Sequence, residues 1–214
     1  ISKKELDSFK EFKDLNISNN SFNKEINIID GYVFKIPETF NNSKWIDIFY
    51  DKSNNLVNFE YKDLNQKSFK SRKLTKDKIN EYIIFEDKHI IMNDVSGNIN
   101  IYSLLENRTI LKFNFYKKKY KKISKKLNLI VENNIIYSSD NLGYLYAFDY
   151  KKEKIIWAKN FKIPFRSNLK IFKDKLILSN QNNELYFINK TSGDILNLIP
   201  TEETTIKNDF INNI

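Results

Sequence analysis

The sequence predicts an all-β protein assembled from repeated four-stranded antiparallel units. Three observations carry this reading: a residue pool suited to strands and turns, a hairpin signature that occurs three times, and strand-length apolar pieces flanking each copy. Ile, Leu, Phe and Val supply 31, 18, 17 and 4 of the 214 residues. That third of the chain is enough apolar material for a packed core. Ala occurs only at Ala147 and Ala158, whereas Ile, Phe, Tyr and Asn are heavily used. Such a pool disfavours long helices and favours pleated, half-buried surfaces joined by tight turns.

The repeat starts at Ile90, Ile135 and Leu176, spaced 45 and 41 residues apart. Each copy reads as an apolar strand, a polar turn and a second, alternating strand. The turns are Asp94-Val95-Ser96-Gly97, Asp140-Asn141-Leu142-Gly143 and Asn180-Gln181-Asn182-Asn183, with Gly or Asn where positive φ is expected. A third strand follows at 109–113, 155–158 and 195–199, and a shorter one precedes each hairpin at 82–85, 127–131 and 168–172. Four antiparallel strands every 40 to 46 residues cannot bury both sheet faces alone and must stack on neighbouring copies. That is the pattern of propeller blades. The expected organisation is a tail or linker over 1–39 and blades over 40–214, with clear repeats at 82–115, 127–160 and 168–200 and the start of another at 204–214. Within the tail, 3–15 has roughly helical apolar spacing, and reads as a linker or short helix.

Composition narrows the chemistry. There is no Cys, which removes disulfides, thiolate metal sites and thiol nucleophiles, and the lone His89 cannot form a multi-histidine centre. No Gly-x-Ser-x-Gly elbow, phosphate loop or dinucleotide fingerprint occurs among only four Gly. No apolar run approaches the length of a membrane-spanning helix. The net charge of +9 comes mostly from scattered Lys. The densest run, 116–126, interleaves seven Lys with Tyr116 and Tyr120. It lies between the last strand of one blade and the first of the next, where a solvated loop is the default. Attraction to anionic lipid headgroups or an acidic partner, or nucleic-acid binding, are its other readings.

The second copy, Asn141-Leu142-Gly143-Tyr144-Leu145-Tyr146-Ala147-Phe148-Asp149 with Lys154-Ile155-Ile156-Trp157, resembles the repeat of pyrroloquinoline-quinone-type β-propellers. That pattern runs Gly, an apolar–Tyr–Ala–Leu–Asp strand, a Thr-Gly turn and a strand ending in Trp. Leu145, Ala147, Asp149 and Trp157 match it. The turn is Lys152-Glu153 here, and the third copy keeps it as Ser192-Gly193 but has Asn197 at the Trp position.

Within that superfamily, Asn42-Ser43-Lys44-Trp45 with Asn54-Asn55, and Pro164-Phe165-Arg166-Ser167-Asn168-Leu169, are similar to segments of the BamB-like lipoproteins of the outer-membrane β-barrel assembly machinery. The resemblance implies a non-catalytic scaffold at the periplasmic face of a Gram-negative outer membrane, tethered by a lipidated Cys upstream. It implies partner contact through Phe165 and Arg166, with the central barrel-insertion subunit and unfolded outer-membrane strands as partners. It implies no catalytic residue, no cofactor, no metal and no nucleic acid. Phe165 is expected as an exposed aromatic anchor. A ring of eight blades in that family, against about four units here, implies that the chain is part of a longer protein. The alternative is a fragment of a quinone- and calcium-dependent periplasmic dehydrogenase, which lacks support from a vicinal Cys pair or a cluster of carboxylates.

Overall fold

The computed structural model describes residues 44–50, 69–80, 82–116 and 118–200, together with 30, 31, 33, 35–39, 58 and 60. The expectations for 3–15, Asn42-Ser43, Asn54-Asn55 and 204–211 lie outside the described residues. The chain divides into units 1–37 and 38–214, and every element below belongs to the second.

Among the described residues, twelve strands form three separate four-stranded sheets. The first contains β1 (Ile84–Glu86), β2 (His89–Asn93), β3 (Asn98–Ser103) and β4 (Arg108–Asn114). The second contains β5 (Leu127–Glu132), β6 (Ile135–Asp140), β7 (Tyr144–Asp149) and β8 (Lys154–Asn160). The third contains β9 (Lys170–Phe172), β10 (Lys175–Ser179), β11 (Leu185–Asn189) and β12 (Ile195–Ile199). Each is an antiparallel meander in chain order, so the repeat in the sequence is a repeat of blades.

The backbone marks of the repeat recur at offsets of 46 and 40. Positive φ falls on Gly97, Gly143 and Asn183 in the middle hairpin, and on Asn107, Glu153 and Gly193 in the outer one. A register shift follows Ile101, Ala147 and Phe187, which gives each outer hairpin the same bulge and extra twist. Ile90 pairs with Phe85 and Tyr102, as Ile136 pairs with Val131 and Phe148. Ile90 therefore corresponds to Ile136 and not to Ile135, correcting the 45-residue spacing. The shift matters because one residue exchanges the two sheet faces.

Two apolar layers join the three blades. Alternation along β7 serves both: Leu145 and Ala147 enter the layer shared with Leu176, Leu178 and Ile188, while Phe148 enters the layer shared with Ile91, Ile99 and Ile101. Rings stack across the first joint, Phe113 on Phe148 at 4.3 Å and Phe115 on Tyr146 at 4.0 Å between centroids. Pairs of this kind add about 0.5–1.5 kcal/mol beyond burial. Trp157 fills the second joint: its indole N–H donates to Lys190 O at 3.0 Å, and its ring lies against Gly193.

Candidate functional site

Each blade presents the same acid or amide at the end of its second strand. Asp94, Asp140 and Asn180 turn Oδ1 back to accept backbone N–H groups two and four residues on: Ser96 and Asn98, Leu142 and Tyr144, Asn182 and Glu184. This Asx turn closes the middle hairpin without any outside group. The second oxygen of each Asp is occupied by the segment leading into its blade. Thr75 donates its hydroxyl to Asp94 at 2.8 Å, and Tyr116 donates to Asp140 at 2.6 Å. Burial pushes the Asp140 carboxyl up, against the pull of Tyr116 and the turn N–H groups. Burial also pushes the Tyr116 phenol far up, with the Asp140 charge adding to it.

The connection from β8 to β9 carries the two residues expected to meet a partner. Phe165 bridges Asn180, the place Leu127 takes opposite Asp140 and Ile79 opposite Asp94. Like Leu127, and unlike the more exposed Ile79, it is buried: Phe165 is 2% exposed, set edge-on to Phe161 and Tyr186 at 5.3 and 6.3 Å. The expectation of an exposed anchor at Phe165 is corrected: its ring seals the joint between the second and third blades.

Arg166 is partly exposed. Its N–H donates to Ser179 O at 3.1 Å, and its Nε is sheltered and makes no hydrogen bond. Asn128 holds the same place in the second blade and donates its side-chain amide to Ser167 O of the third, at 3.0 Å. Arg166 accordingly projects from the face of the third blade turned away from the second. Phe165 and Arg166 are adjacent in sequence but serve opposite faces.

Residues 44–50 form a feature that the sequence does not announce. This segment crosses the innermost strands of all three blades. Trp45 and Phe85 exchange backbone hydrogen bonds at 2.6 and 2.8 Å, Val131 N–H donates to Ile46 O at 3.3 Å, and the Asp47 carboxylate accepts from the Lys170 ammonium. It turns back at once, with Ile46 N–H donating to Tyr50 O at 3.0 Å and Tyr50 at φ +88°. Asp47 is 1% exposed, and Lys170, above the Phe49 ring at 5.8 Å, is buried beside it. Desolvation pushes the Asp47 carboxyl up, and the Lys170 ammonium opposes it. Edge strands expose unpaired N–H and C=O groups, and this strap covers them on β1 and β5.

Among the described residues no group of three or more His, Cys, Asp or Glu is placed to hold a metal ion. A calcium and quinone site needs converging oxygens free to coordinate. Here the buried Asp residues are already engaged, Asp94 and Asp140 by their turns and Asp47 by Lys170. The donor set does not fit that cofactor pair.

No protein-family model matches the chain, and no curated protein matches it. Solved structures do. The chain is similar to quinohemoprotein alcohol dehydrogenase from Comamonas testosteroni, at 11% identity and a TM-score of 0.61, over 74% of this chain and 27% of that one. It is also similar to the computationally designed Ika4 protein, at 10% identity and a TM-score of 0.51, over 64% of this chain and 84% of that one. BamB from Moraxella catarrhalis aligns at 16% identity and a TM-score of 0.45, over 56% of this chain and 34% of that one. The matched region thus spans about a third or less of the dehydrogenase and BamB chains. With the three sheets, the similarities to the dehydrogenase and to the Ika4 protein place the chain in the class of β-propellers with four-stranded antiparallel blades, of which it presents three described blades.

Proposed function

We propose that this chain is a non-catalytic propeller scaffold that recognises protein partners. Its role would be in outer-membrane β-barrel assembly at the periplasmic face, with extended strands of unfolded barrel proteins and the central insertion subunit as partners. The observation that carries the reading is the outer strand β12. Ile195, Leu196, Leu198 and Ile199 are 37–52% exposed there, while the faces between blades are filled. An apolar outer strand at the edge of a blade suits β-augmentation, in which backbone hydrogen bonds give affinity and alternate side chains give selectivity. The engagement of the buried Asp residues within the fold supports a scaffold over a quinone enzyme.

Binding of an unfolded barrel-protein peptide and of the insertion subunit, measured for the whole chain and for Leu196→Lys with Leu198→Lys, tests this reading. A loss of about tenfold or more is expected for the peptide, since truncating central apolar anchors commonly costs over 1 kcal/mol. Arg166→Glu is expected to weaken the subunit. Undiminished binding of both partners by correctly folded variants would overturn the proposal.

A further inference from the structure

The lysine-rich connection between the first two blades is an ordered structure with an interior. Residues 118–120 make a single 3-10 turn, Lys121 N–H donates to Lys118 O at 3.0 Å, and Ile123 N–H donates to Tyr120 O at 3.1 Å. Lys125 N–H then donates to Val95 O at 2.9 Å, fastening the connection to the middle turn of the first blade. Gly97 lies at that junction with φ +82°. A Cβ there would lie 2.6 Å from Tyr116 Cδ2 and 3.3 Å from Lys125 Cγ, so the missing side chain lets ring and lysine stem converge. Asn114 fixes the entry, donating to Ser96 O and accepting the Tyr116 N–H at 2.8 Å.

Lys125 is 3% exposed, and among the described residues no carboxylate or hydrogen-bond acceptor pairs with its ammonium. Its ammonium lies over the Tyr116 ring, 5.3 Å from Nζ to the centroid. That phenol donates to the Asp140 carboxylate, which enriches the ring face that the ammonium meets. A cavity of about 360 Å³ opens here, lined by Ser96, Asn114, Tyr116, Lys118, Lys121 and Lys125. Three of its lining residues are lysines, none ion-paired among the described residues, and no lining residue is an acid. Lysine charges gathered in one pocket without a carboxylate repel one another, and an anion entering the cavity offsets that repulsion.

We propose that this cavity is a binding site for a phosphate group, held by the ammoniums of Lys118, Lys121 and Lys125 with the Ser96 hydroxyl. Tetrahedral oxygens suit three donors converging from separate stems, and a phosphate's charge answers their sum. Free phosphate and the headgroup of an anionic lipid both carry this group, and the test has an arm for each.

Calorimetric titration with inorganic phosphate and co-sedimentation with phosphatidylglycerol/phosphatidylcholine vesicles are run on the whole chain. Lys125→Met keeps the stem that packs near Gly97 and Tyr116 while removing the charge. Lys118→Gln with Lys121→Gln changes only exposed positions, and Lys173→Gln in the third blade controls for net charge. A loss of about tenfold or more is expected for Lys125→Met, with a smaller loss for the double variant and none for the control. Binding of phosphate identifies a soluble source, and binding of vesicles alone identifies the headgroup. Binding of neither probe, or equal losses in Lys173→Gln and Lys125→Met, would overturn the proposal.

Discussion

Replacing Gly193 by Ala tests the joint between the second and third blades, and the chain supplies its own reference. Gly193 has φ +75°, and an added Cβ would sit 2.7 Å from Trp157 Cε3 and 2.8 Å from Cδ2. The indole cannot move aside freely, because its N–H is bonded to Lys190 O. Two costs add: about 1–2 kcal/mol for an L-residue in the left-handed region, and about 1–3 kcal/mol for overpacking. The sum is about 2–5 kcal/mol. At the preceding joint Leu111 stands at the Trp position, and Glu153 occupies the turn with φ +53°. The backbone thus accepts a Cβ where no indole lies over it. Gly193→Ala should therefore cost only about 1–2 kcal/mol in a Trp157→Leu background. Urea unfolding followed by far-ultraviolet circular dichroism gives the four stabilities of the cycle. Additivity within about 0.5 kcal/mol would refute steric coupling through the indole.

Other perturbations have definite expected outcomes. Lys170→Met leaves the Asp47 carboxylate buried without its cation and is expected to cost about 3–5 kcal/mol, while Asp47→Leu with Lys170→Met recovers most of it, as read by thermal unfolding. Asp140→Asn keeps the Oδ1 acceptor, as Asn180 does in the third blade. Burial raises the folded Asp140 pKa above 3.8, so stability from its neutral form is fully present below pH 3.8 and is lost as pH rises through the folded value. The wild-type chain should therefore lose stability relative to Asp140→Asn over that rise, and a pH-independent difference would count against the raised carboxyl. Burial lifts the Tyr137 phenol to about 12 and those of Tyr146 and Tyr150 further. Alkaline titration should show tyrosinate absorbance from these rings only as the circular dichroism signal collapses, and ionisation in the intact fold would contradict their placement.

The blades were legible because strand alternation and positive-φ turns are local properties. Asp140-Asn141-Leu142-Gly143 predicts its own hairpin, and Trp157 announces a large flat group that two sheets must share. The one-residue slip between Ile135 and Ile136 arose where two consecutive Ile leave the face ambiguous, a choice made by pairing with Val131 and Phe148. Phe165 reads as exposed in the sequence because its loop neighbours Pro164 and Arg166 suggest a surface, whereas the bridge to Asn180 draws it inward. The Asp47–Lys170 contact joins residues 123 apart, and no local pattern encodes such a partner. The basic run 116–126 was visible as charge, but the burial of Lys125 depends on Gly97, which belongs to a different turn.

That separation of 123 residues also sets an order of events during synthesis. At roughly 5–20 residues per second, the ribosome delivers Lys170 about 6–25 s after Asp47. For that interval the Asp47 carboxylate lacks the cation it meets in the folded protein, while the backbone bonds of its segment to the first two blades can already form. Emergence of the third blade is then the step that lets Asp47 leave water, since a carboxylate is costly to bury before its cation arrives.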